Sequence, residues 1–257
     1  MNKGLAKFAL FVAVVLGGPA ALMAAGDPRL TDIGKLVMIA SPALAGLGLN
    51  RDLGDRGVKP RWTWVGLAAV LTLAVALGAI AVALAVGGAR FGPATGGPAV
   101  LATHMGASAL TSVLEELGWA GGGLALAVGA FGRRWGVPVL GLVWAAWHLV
   151  PTALHVGLFP ELEAAPAPMI LSFVAACVIY RLLLTALRQR AGTWLAAAAG
   201  HAAPNILLAG LMTAGLGGFD RPSAWAFFPA PGGLVFPVLA LAALAFVASR
   251  GGAKQGG

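Results

Sequence analysis

Two adjacent carboxylates, Glu115 and Glu116, lie in a stretch that otherwise reads as lipid-soluble, ALTSVLEELGWAGGGLALAVGAF. Placing a single charge deep in a bilayer costs about 2.5–3.5 kcal/mol on insertion scales. Two acids therefore persist there only where the protein interior supplies water, polar partners or a chemical task. A carboxylate that is held beside water can serve as a general base, so this stretch indicates hydrolysis or proton handling inside the membrane.

The two glutamates cannot play the same part. Neighbouring residues on a helix point about 100° apart. If one of them faces a cavity, we expect the other to make a structural hydrogen bond or an ion pair.

Two further apolar segments carry polar pairs at helical spacing. Trp144 and His148 lie four residues apart in WAAWH, and His201 and Asn205 lie four apart in HAAPN. Residues at this spacing share one face of a helix. An imidazole and an amide on one rigid helix suit the stabilisation of a developing oxyanion. The sequence therefore predicts that the three segments meet and form a site inside the membrane.

The composition identifies an integral membrane protein. The 257 residues are 59% hydrophobic and only 10% charged, whereas a soluble domain carries about 25% charged residues. The apolar runs are long and continuous, without the ten-residue alternation of outer-membrane barrels. The predicted fold class is all-α, a polytopic membrane helical bundle of about eight transmembrane helices.

The spans divide the chain into three regions. The fourth span is too long for one straight crossing, and the glycines at 121–123 offer a place where it could bend. We predict N-terminal transmembrane helices at 1–97, a catalytic core at 98–213, and a C-terminal helix with a disordered tail at 214–257. The predicted spans are 5–25, 33–49, 62–87, 98–131, 135–156, 167–188, 192–213 and 232–249.

The net charge of +8 does not indicate a nucleic-acid partner, because Lys and Arg cluster at the ends of the apolar spans. With both termini cytoplasmic, thirteen of the seventeen basic residues lie on the inner side, as the positive-inside rule requires. We therefore expect a multi-pass protein of the cell membrane. Arg181, which lies within a span, is expected to snorkel to the cytoplasmic surface.

Four other segments have simpler interpretations. The N-terminal 27 residues imitate a signal peptide but contain an apolar stretch long enough to span, so we expect a retained first helix. The polar stretch 50–61 is predicted to be a cytoplasmic connector. The acidic, proline-rich segment 157–168 is predicted to be an irregular loop or re-entrant turn. Cys177 is interpreted as a small core residue.

Taken together, the three motifs have a recognisable order. EELGWA, WAAWH and HAAPN lie in separate predicted spans. They resemble the CAAX protease and bacteriocin-processing family of intramembrane proteases, which includes the bacterial Abi proteins. The motifs of that family are Glu-Glu-x-x-x-Arg, Phe-x-x-x-His and His-x-x-x-Asn. The resemblance covers roughly residues 98–213 and implies an intramembrane endopeptidase.

The resemblance also implies a role for each residue. Glu115 would be the base that activates water, and His148 would hold that water and move protons. His201 and Asn205 would stabilise the oxyanion of the tetrahedral intermediate. Glu116 and Trp144 would support the site. A base, a proton partner and oxyanion donors are also the parts that hydrolysis of an amide requires on chemical grounds.

The chain departs from the family motifs at two positions. Trp144 replaces phenylalanine, which is conservative for an aromatic cavity wall. Ala120 stands where the family has the arginine that supports the second glutamate. Glu116 is then expected to be protonated or to pair with another group such as His104 or His155, or else the enzyme is weakened.

The sequence leaves alternatives open for both the cofactor and the function. Members of the family have been described both as metal-dependent and as metal-free; this chain has no HExxH motif, so no cofactor is expected, with zinc left open. The expected partners are membrane lipid and a peptide or lipidated protein substrate. One alternative is a catalytically impaired member that binds a peptide or partner in the membrane. A transporter is less favoured, because no inverted repeat is evident.

Overall fold

The computed structural model describes residues 3–50, 59–217, 222–228 and 231–250, most of which are helical. A two-stranded antiparallel pair consists of β1 (Arg90–Phe91) and β2 (Leu216–Gly217). Residues 51–58 of the predicted connector at 50–61, and residues 251–257 of the predicted tail, lie outside the described residues. The helices are α1 (Lys3–Met23), α2 (Pro28–Leu49), α3 (Trp62–Ala85), α4 (Pro98–Glu116), α5 (Leu124–Ala153), α6 (Pro160–Glu163), α7 (Ala167–Ala191), α8 (Leu195–Thr213) and α9 (Val235–Ser249).

Six helical runs in the described part of the chain are long and apolar enough to cross a bilayer. They are α1, α2, α3, α7, α8 and one continuous run, Pro98–Ala153, in which a π-helical segment (Leu117–Gly123) joins α4 to α5. This confirms the all-α, polytopic membrane fold. Helix α9 is apolar but shorter, at 15 residues.

The run Pro98–Ala153 crosses twice because it breaks at Gly132. Its 56 residues would extend about 84 Å as a straight helix, against a hydrocarbon core of about 30 Å. Gly132 has φ 73° and ψ 171°, a conformation that glycine adopts readily. Beyond it the chain doubles back, since a Cβ on Gly136 would lie 2.8 Å from Cα of Val128. With this run counted as two arms and the shorter α9 included, the described residues hold eight apolar helical segments, of which α9 is too short to count as a candidate span.

The reversal lies between the predicted spans 98–131 and 135–156, as expected, but the bend predicted within the fourth span takes a different form. The glycines at 121–123, which offered a place to bend, instead belong to the π-helical segment and remain buried. A single left-handed residue, Gly132, makes the turn. The physical reason is that a π-helical stretch keeps the backbone hydrogen-bonded within the membrane, whereas a reversal of direction needs one residue outside helical φ/ψ space.

One end of the bundle, here called the basic face, gathers the start of α3 and the ends of α7 and α9. The backbone N–H of Arg61 donates to the carbonyl of Ala191 at 2.8 Å. The guanidinium of Arg190 donates to the carbonyl of Val247 at 3.2 Å. The Gly132 turn lies at this same end, because α5 leads from it across the bundle toward the opposite end.

The opposite end, here called the loop face, gathers the other helix ends. Pairing of β1 with β2 joins the segment after α3 to the segment after α8. The hydroxyl of Ser172 near the start of α7 donates to the carbonyl of Gly233 just before α9, at 3.0 Å. Consecutive helices therefore alternate between the two faces, as successive membrane crossings must.

Helix α2 packs against the π-helical segment through glycines. A Cβ on Gly122 would lie 2.5 Å from backbone atoms of Gly46, and one on Gly118 would overlap the carbonyl of Pro42. Small residues four apart let helix backbones approach closely in lipid, where packing rather than hydrophobicity drives association. This contact fixes the segment that directly follows Glu115 and Glu116.

We predict that Gly118→Ala destabilises the protein, because the added methyl group would meet the backbone of α2 rather than a flexible side chain. Overpacking of this kind costs about 1–3 kcal/mol. The measurement is thermal unfolding in detergent. The matched control is Gly106→Ala, since a Cβ on Gly106 meets nothing within 4 Å. Equal melting temperatures for the two variants would contradict the close contact.

Candidate active site

A cavity of about 260 Å³ lies between the helices, and residues from all three motifs line it. Glu115 comes from α4, Trp144 and His148 from α5, and His201 and Asn205 from α8. The structure thus brings together the five side chains that the motifs singled out for the cavity. Apolar side chains from α3, α7, α8 and α9 complete the walls, among them Ala76, Ile80, Phe173, Ala176, Leu208 and Phe236.

The two adjacent glutamates point to different surroundings. Glu115 lines the cavity and is 7% exposed, whereas Glu116 is fully buried behind it. Their divergence is the consequence of helical geometry that the sequence indicated: one acid faces the cavity and the other makes an ion pair.

Glu116 forms a bidentate ion pair with Arg181 of α7. The Nη1 atom of Arg181 donates to Oε2 of Glu116 at 2.7 Å, and Nη2 donates to Oε1 at 2.9 Å. Arg181 is 1% exposed and Glu116 is 0% exposed. A planar guanidinium on a planar carboxylate gives the strongest geometry for such a pair. The fully buried acid is therefore neutralised by a cation from another helix.

Two expectations about these charges are wrong. Arg181 does not snorkel to the cytoplasmic surface, because the buried carboxylate binds its guanidinium inside the bundle. Glu116 pairs with neither His104 nor His155. The Nδ1 atom of His104 instead lies 2.9 Å from the hydroxyl of Thr213, and His155 follows the end of α5. Sequence reasoning missed Arg181 as a site residue, although a charge in the middle of an apolar span was the available signal.

Glu116 also orients His201. The Nδ1 atom of His201 lies 3.0 Å from Oε1 of Glu116. A carboxylate oxygen accepts, so Nδ1 carries the proton and Nε2 is the ring nitrogen available to a substrate. Glu116 therefore joins Arg181 to His201 in one buried chain of hydrogen bonds.

Trp144 connects this chain to Glu115. Its indole Nε1 donates to Oε2 of Glu115 at 3.2 Å. The guanidinium carbon of Arg181 lies 4.3 Å from the centroid of its ring, and the ring of His201 meets it edge-on at 5.2 Å. The indole is thus more than an aromatic wall: it holds one oxygen of Glu115 and stacks on the cation that neutralises Glu116.

His148 is held by the backbone of its own helix. Its Nδ1 donates to the carbonyl of Trp144 at 2.9 Å, since a carbonyl can only accept. Its ring packs against Phe159 at 5.1 Å and Phe173 at 5.4 Å between centroids. Nε2 is again the nitrogen available to a substrate or water.

Asn205 is positioned by a serine that sequence reasoning did not single out. Its Nδ2 donates to the hydroxyl of Ser112 at 3.0 Å, and that hydroxyl donates to the carbonyl of Ser108 at 2.7 Å. Ser112 lies one turn before Glu115 and is fully buried. A polar residue on the same face as Glu115 was a usable signal, but serines in apolar helices commonly bond their own backbone.

Ala120, the position of the family's motif arginine, is 3% exposed and belongs to the apolar core. In this chain Arg181 makes the ion pair with the second glutamate. The departure from the motif therefore does not leave Glu116 without a cationic partner.

Among the described residues, no group of three or more His, Cys, Asp or Glu side chains is placed to hold a metal ion. One oxygen of Glu115 and both oxygens of Glu116 already accept hydrogen bonds from neighbouring side chains. Glu116 accepts hydrogen bonds from Arg181 and His201, and Glu115 accepts one from the indole N–H of Trp144. The absence of a cofactor remains a prediction from the sequence.

A comparison with curated proteins finds no match to the chain. A comparison with protein families matches residues 97–207 to the Rce1-like family, described as type II CAAX prenyl endopeptidase Rce1-like. The matched stretch contains both glutamates, both motif histidines and Asn205, and it confirms the resemblance drawn from the three motifs. The similarity to the Rce1-like family therefore covers the part of the chain that carries the site.

Proposed function

We propose that this chain is an intramembrane endopeptidase in which Glu115 activates the water that hydrolyses a peptide bond. The observation that carries the proposal is that Glu115, His148, His201 and Asn205, from three separate helices, line one cavity inside the bundle. The family match supports the same class of reaction. Glutamate catalysis is the part that the proposal adds.

In the first step, water attacks the carbonyl carbon of the scissile bond and Glu115 takes its proton. Trp144 binds only Oε2 of Glu115, which leaves Oε1 for the water. His148, with Nδ1 fixed on a carbonyl, offers Nε2 as a second hydrogen-bonding partner for that water. A base within hydrogen-bond reach of its proton is the geometric requirement of this step.

The tetrahedral intermediate carries a negative oxygen, which His201 and Asn205 stabilise. The amide nitrogen of Asn205 has two hydrogens, and Ser112 accepts one of them. The other is free for the oxyanion. When His201 is protonated on both nitrogens, Nε2–H donates to the oxyanion while Glu116 balances the charge at Nδ1. Donors fixed before the reaction need no reorganisation during it.

In the last step the C–N bond breaks and the leaving nitrogen takes a proton. Glu115 supplies that proton directly or through Nε2 of His148, which returns the carboxylate to its starting state. The products are one chain with a new carboxylate and one with a new amine. Water is the only co-reactant.

The walls of the cavity favour a substrate of apolar character. Phe173, Leu208 and Phe236 face the same space as the polar groups. A peptide anchored in the membrane, by apolar side chains or by a lipid, would meet these walls as it approaches Glu115. We propose a membrane-associated or lipidated protein or peptide as substrate, with membrane lipid as the surrounding partner.

The two alternative functions, an impaired protease that only binds and a transporter, are less well supported by the structure. A catalytically impaired member that only binds a peptide was suggested by Ala120, and the ion pair from Arg181 supplies what that position lacks. A transporter needs a polar path to both faces, whereas the polar residues here converge on one cavity. We propose that the basic face is cytoplasmic and that both termini lie there.

We expect Glu115→Gln to lower the rate of peptide cleavage about 10²–10⁴-fold, the contribution usual for a general base. The measurement is cleavage of a peptide library by purified protein in detergent. The amide keeps the shape of the side chain and its acceptor for Trp144, so binding should change little.

The matched control for that experiment is Asp32→Asn, the same carboxylate-to-amide change at an exposed residue of α2. It should cleave at the rate of the unmodified protein. Cleavage that survives Glu115→Gln would rule out the glutamate mechanism.

A double variant tests whether the ion pair of Glu116 and Arg181 orients His201 or serves only the stability of the fold. Replacing both members of a buried ion pair by apolar residues is often neutral for folding, whereas removing one leaves an uncompensated charge. Glu116→Leu/Arg181→Met should therefore fold yet lose about 10- to 100-fold in kcat, because His201 loses its Nδ1 acceptor. Melting temperature and kcat are measured on the same preparation.

Arg190→Gln is the control, since Arg190 lies on the same helix and contacts backbone carbonyls near the end of α9. A folded double variant with unchanged kcat would show that the ion pair serves stability alone.

Treatment with chelators tests whether peptide cleavage depends on a bound metal ion. Because no group of three or more His, Cys, Asp or Glu side chains among the described residues is placed to hold a metal ion, we expect cleavage to withstand prolonged dialysis against EDTA or 1,10-phenanthroline. Loss of activity on chelation, with recovery on adding Zn²⁺ alone, would overturn the metal-free mechanism. A zinc endopeptidase assayed in the same detergent is the positive control.

A further inference from the structure

The cavity extends from the motif residues toward the loop face, as the described residues that line it indicate. Two loops of the loop face line it: the segment after α5, with Phe159, Glu161 and Leu162, and the segment before α9, with Phe228 and Pro231. These five residues form what is here called the mouth. Glu161 is exposed to solvent there.

The other end of the site is closed by packing. Between the cavity and the basic face, α7 and α8 bury Leu183, Leu184 and Leu187 together with Ala196 and Ala197, all at 0% exposure. Close-packed side chains of this kind leave no space for a peptide or for a file of water. Water and substrate therefore reach Glu115 from the loop face.

The distribution of charge orients the two faces. The basic face carries Arg61 and Arg190, the pair Arg133 and Arg134 after the Gly132 turn, and Arg250. The ring of Phe8 meets that of Phe131 at 5.2 Å, which brings Lys3 and Lys7 of α1 to the same end. Among the described residues of the loop face the basic residues are fewer: Arg29 and Lys35 in the first turns of α2, and Arg90 in β1.

Lys and Arg accumulate on the cytoplasmic side of membrane proteins. We infer that the mouth opens on the extracytoplasmic side, and that the substrate is the extracytoplasmic juxtamembrane segment of a membrane-anchored polypeptide. A cytoplasmic carboxyl-terminal tail would meet the closed end of the bundle. The position of the mouth stands independently, whereas the substrate class rests on the proposed function.

Thiol labelling in intact cells tests the position of the mouth. Cys177 is the one cysteine of the chain, so Cys177→Ser gives a background without thiols. E161C places a thiol at the mouth, F91C places one at another exposed site of the loop face, and Q189C places one at the exposed end of α7 on the basic face. The probe is a membrane-impermeant sulfonated maleimide.

We expect E161C and F91C to react in intact cells and Q189C to react only after permeabilisation. Reaction of Q189C in intact cells, with E161C and F91C protected until permeabilisation, would overturn the inference. Two loop-face positions are used so that one poorly folded variant does not decide the result.

A pair of reporters tests the substrate class. Each is a single-span protein with the same cleavable peptide, placed at the extracytoplasmic boundary in one and at the cytoplasmic boundary in the other. We expect cleavage of the first only, and none with Glu115→Gln. If labelling is as expected but neither reporter is cleaved, the proposed function and substrate class fail and the mouth assignment stands. If Q189C is labelled in intact cells, E161C and F91C are not, and only the cytoplasmic reporter is cleaved, the inference is wrong and the proposed proteolytic function stands.

Discussion

The site depends on one buried ion pair. Glu116 is a fixed negative charge in an apolar bundle, and Arg181 of another helix neutralises it through two short hydrogen bonds of 2.7 and 2.9 Å. Taking both ions out of water costs several kcal/mol each, in order of magnitude, so the pair persists only with excellent geometry and further hydrogen bonds. Here the further bonds are functional: Glu116 fixes the proton on His201, and the guanidinium stacks on Trp144, which holds Glu115.

Helical spacing made much of this predictable. Pairs four residues apart share a face whatever the tertiary structure, so WAAWH and HAAPN each had to present two side chains together, and adjacent glutamates had to diverge. The composition and the long apolar runs likewise predicted an integral membrane protein of the all-α class. The partner of Glu116 could not be obtained in this way, because an arginine inside a span can either snorkel or pair. The register between α4 and α7 decides which, and a single sequence does not state it.

Which property of each glycine the fold uses was unpredictable for a related reason. Glycine both packs closely and adopts left-handed conformations, and the sequence does not say which property is used. The glycines of the π-helical segment are used for packing: Gly118 and Gly122 let α2 approach. Gly132 is used for its conformation, with φ 73°. The residues differ in their neighbours in space, which only the folded chain defines.

The same ion pair explains why the site can be wet on one side only. A charged pair facing a water-filled channel would be solvated and would lose much of its hold on His201, whereas packing at 0% exposure around Leu183, Leu184 and Leu187 keeps the pair dry. Glu115, on the other flank of Trp144, lies on the cavity, where the proposed mechanism requires water as a reactant. In the proposed mechanism the indole of Trp144 therefore separates the buried ion pair, which positions His201, from the cavity, where water reacts. Opening the basic face would join the two, so access from the loop face follows from the electrostatics of the site as well as from its shape.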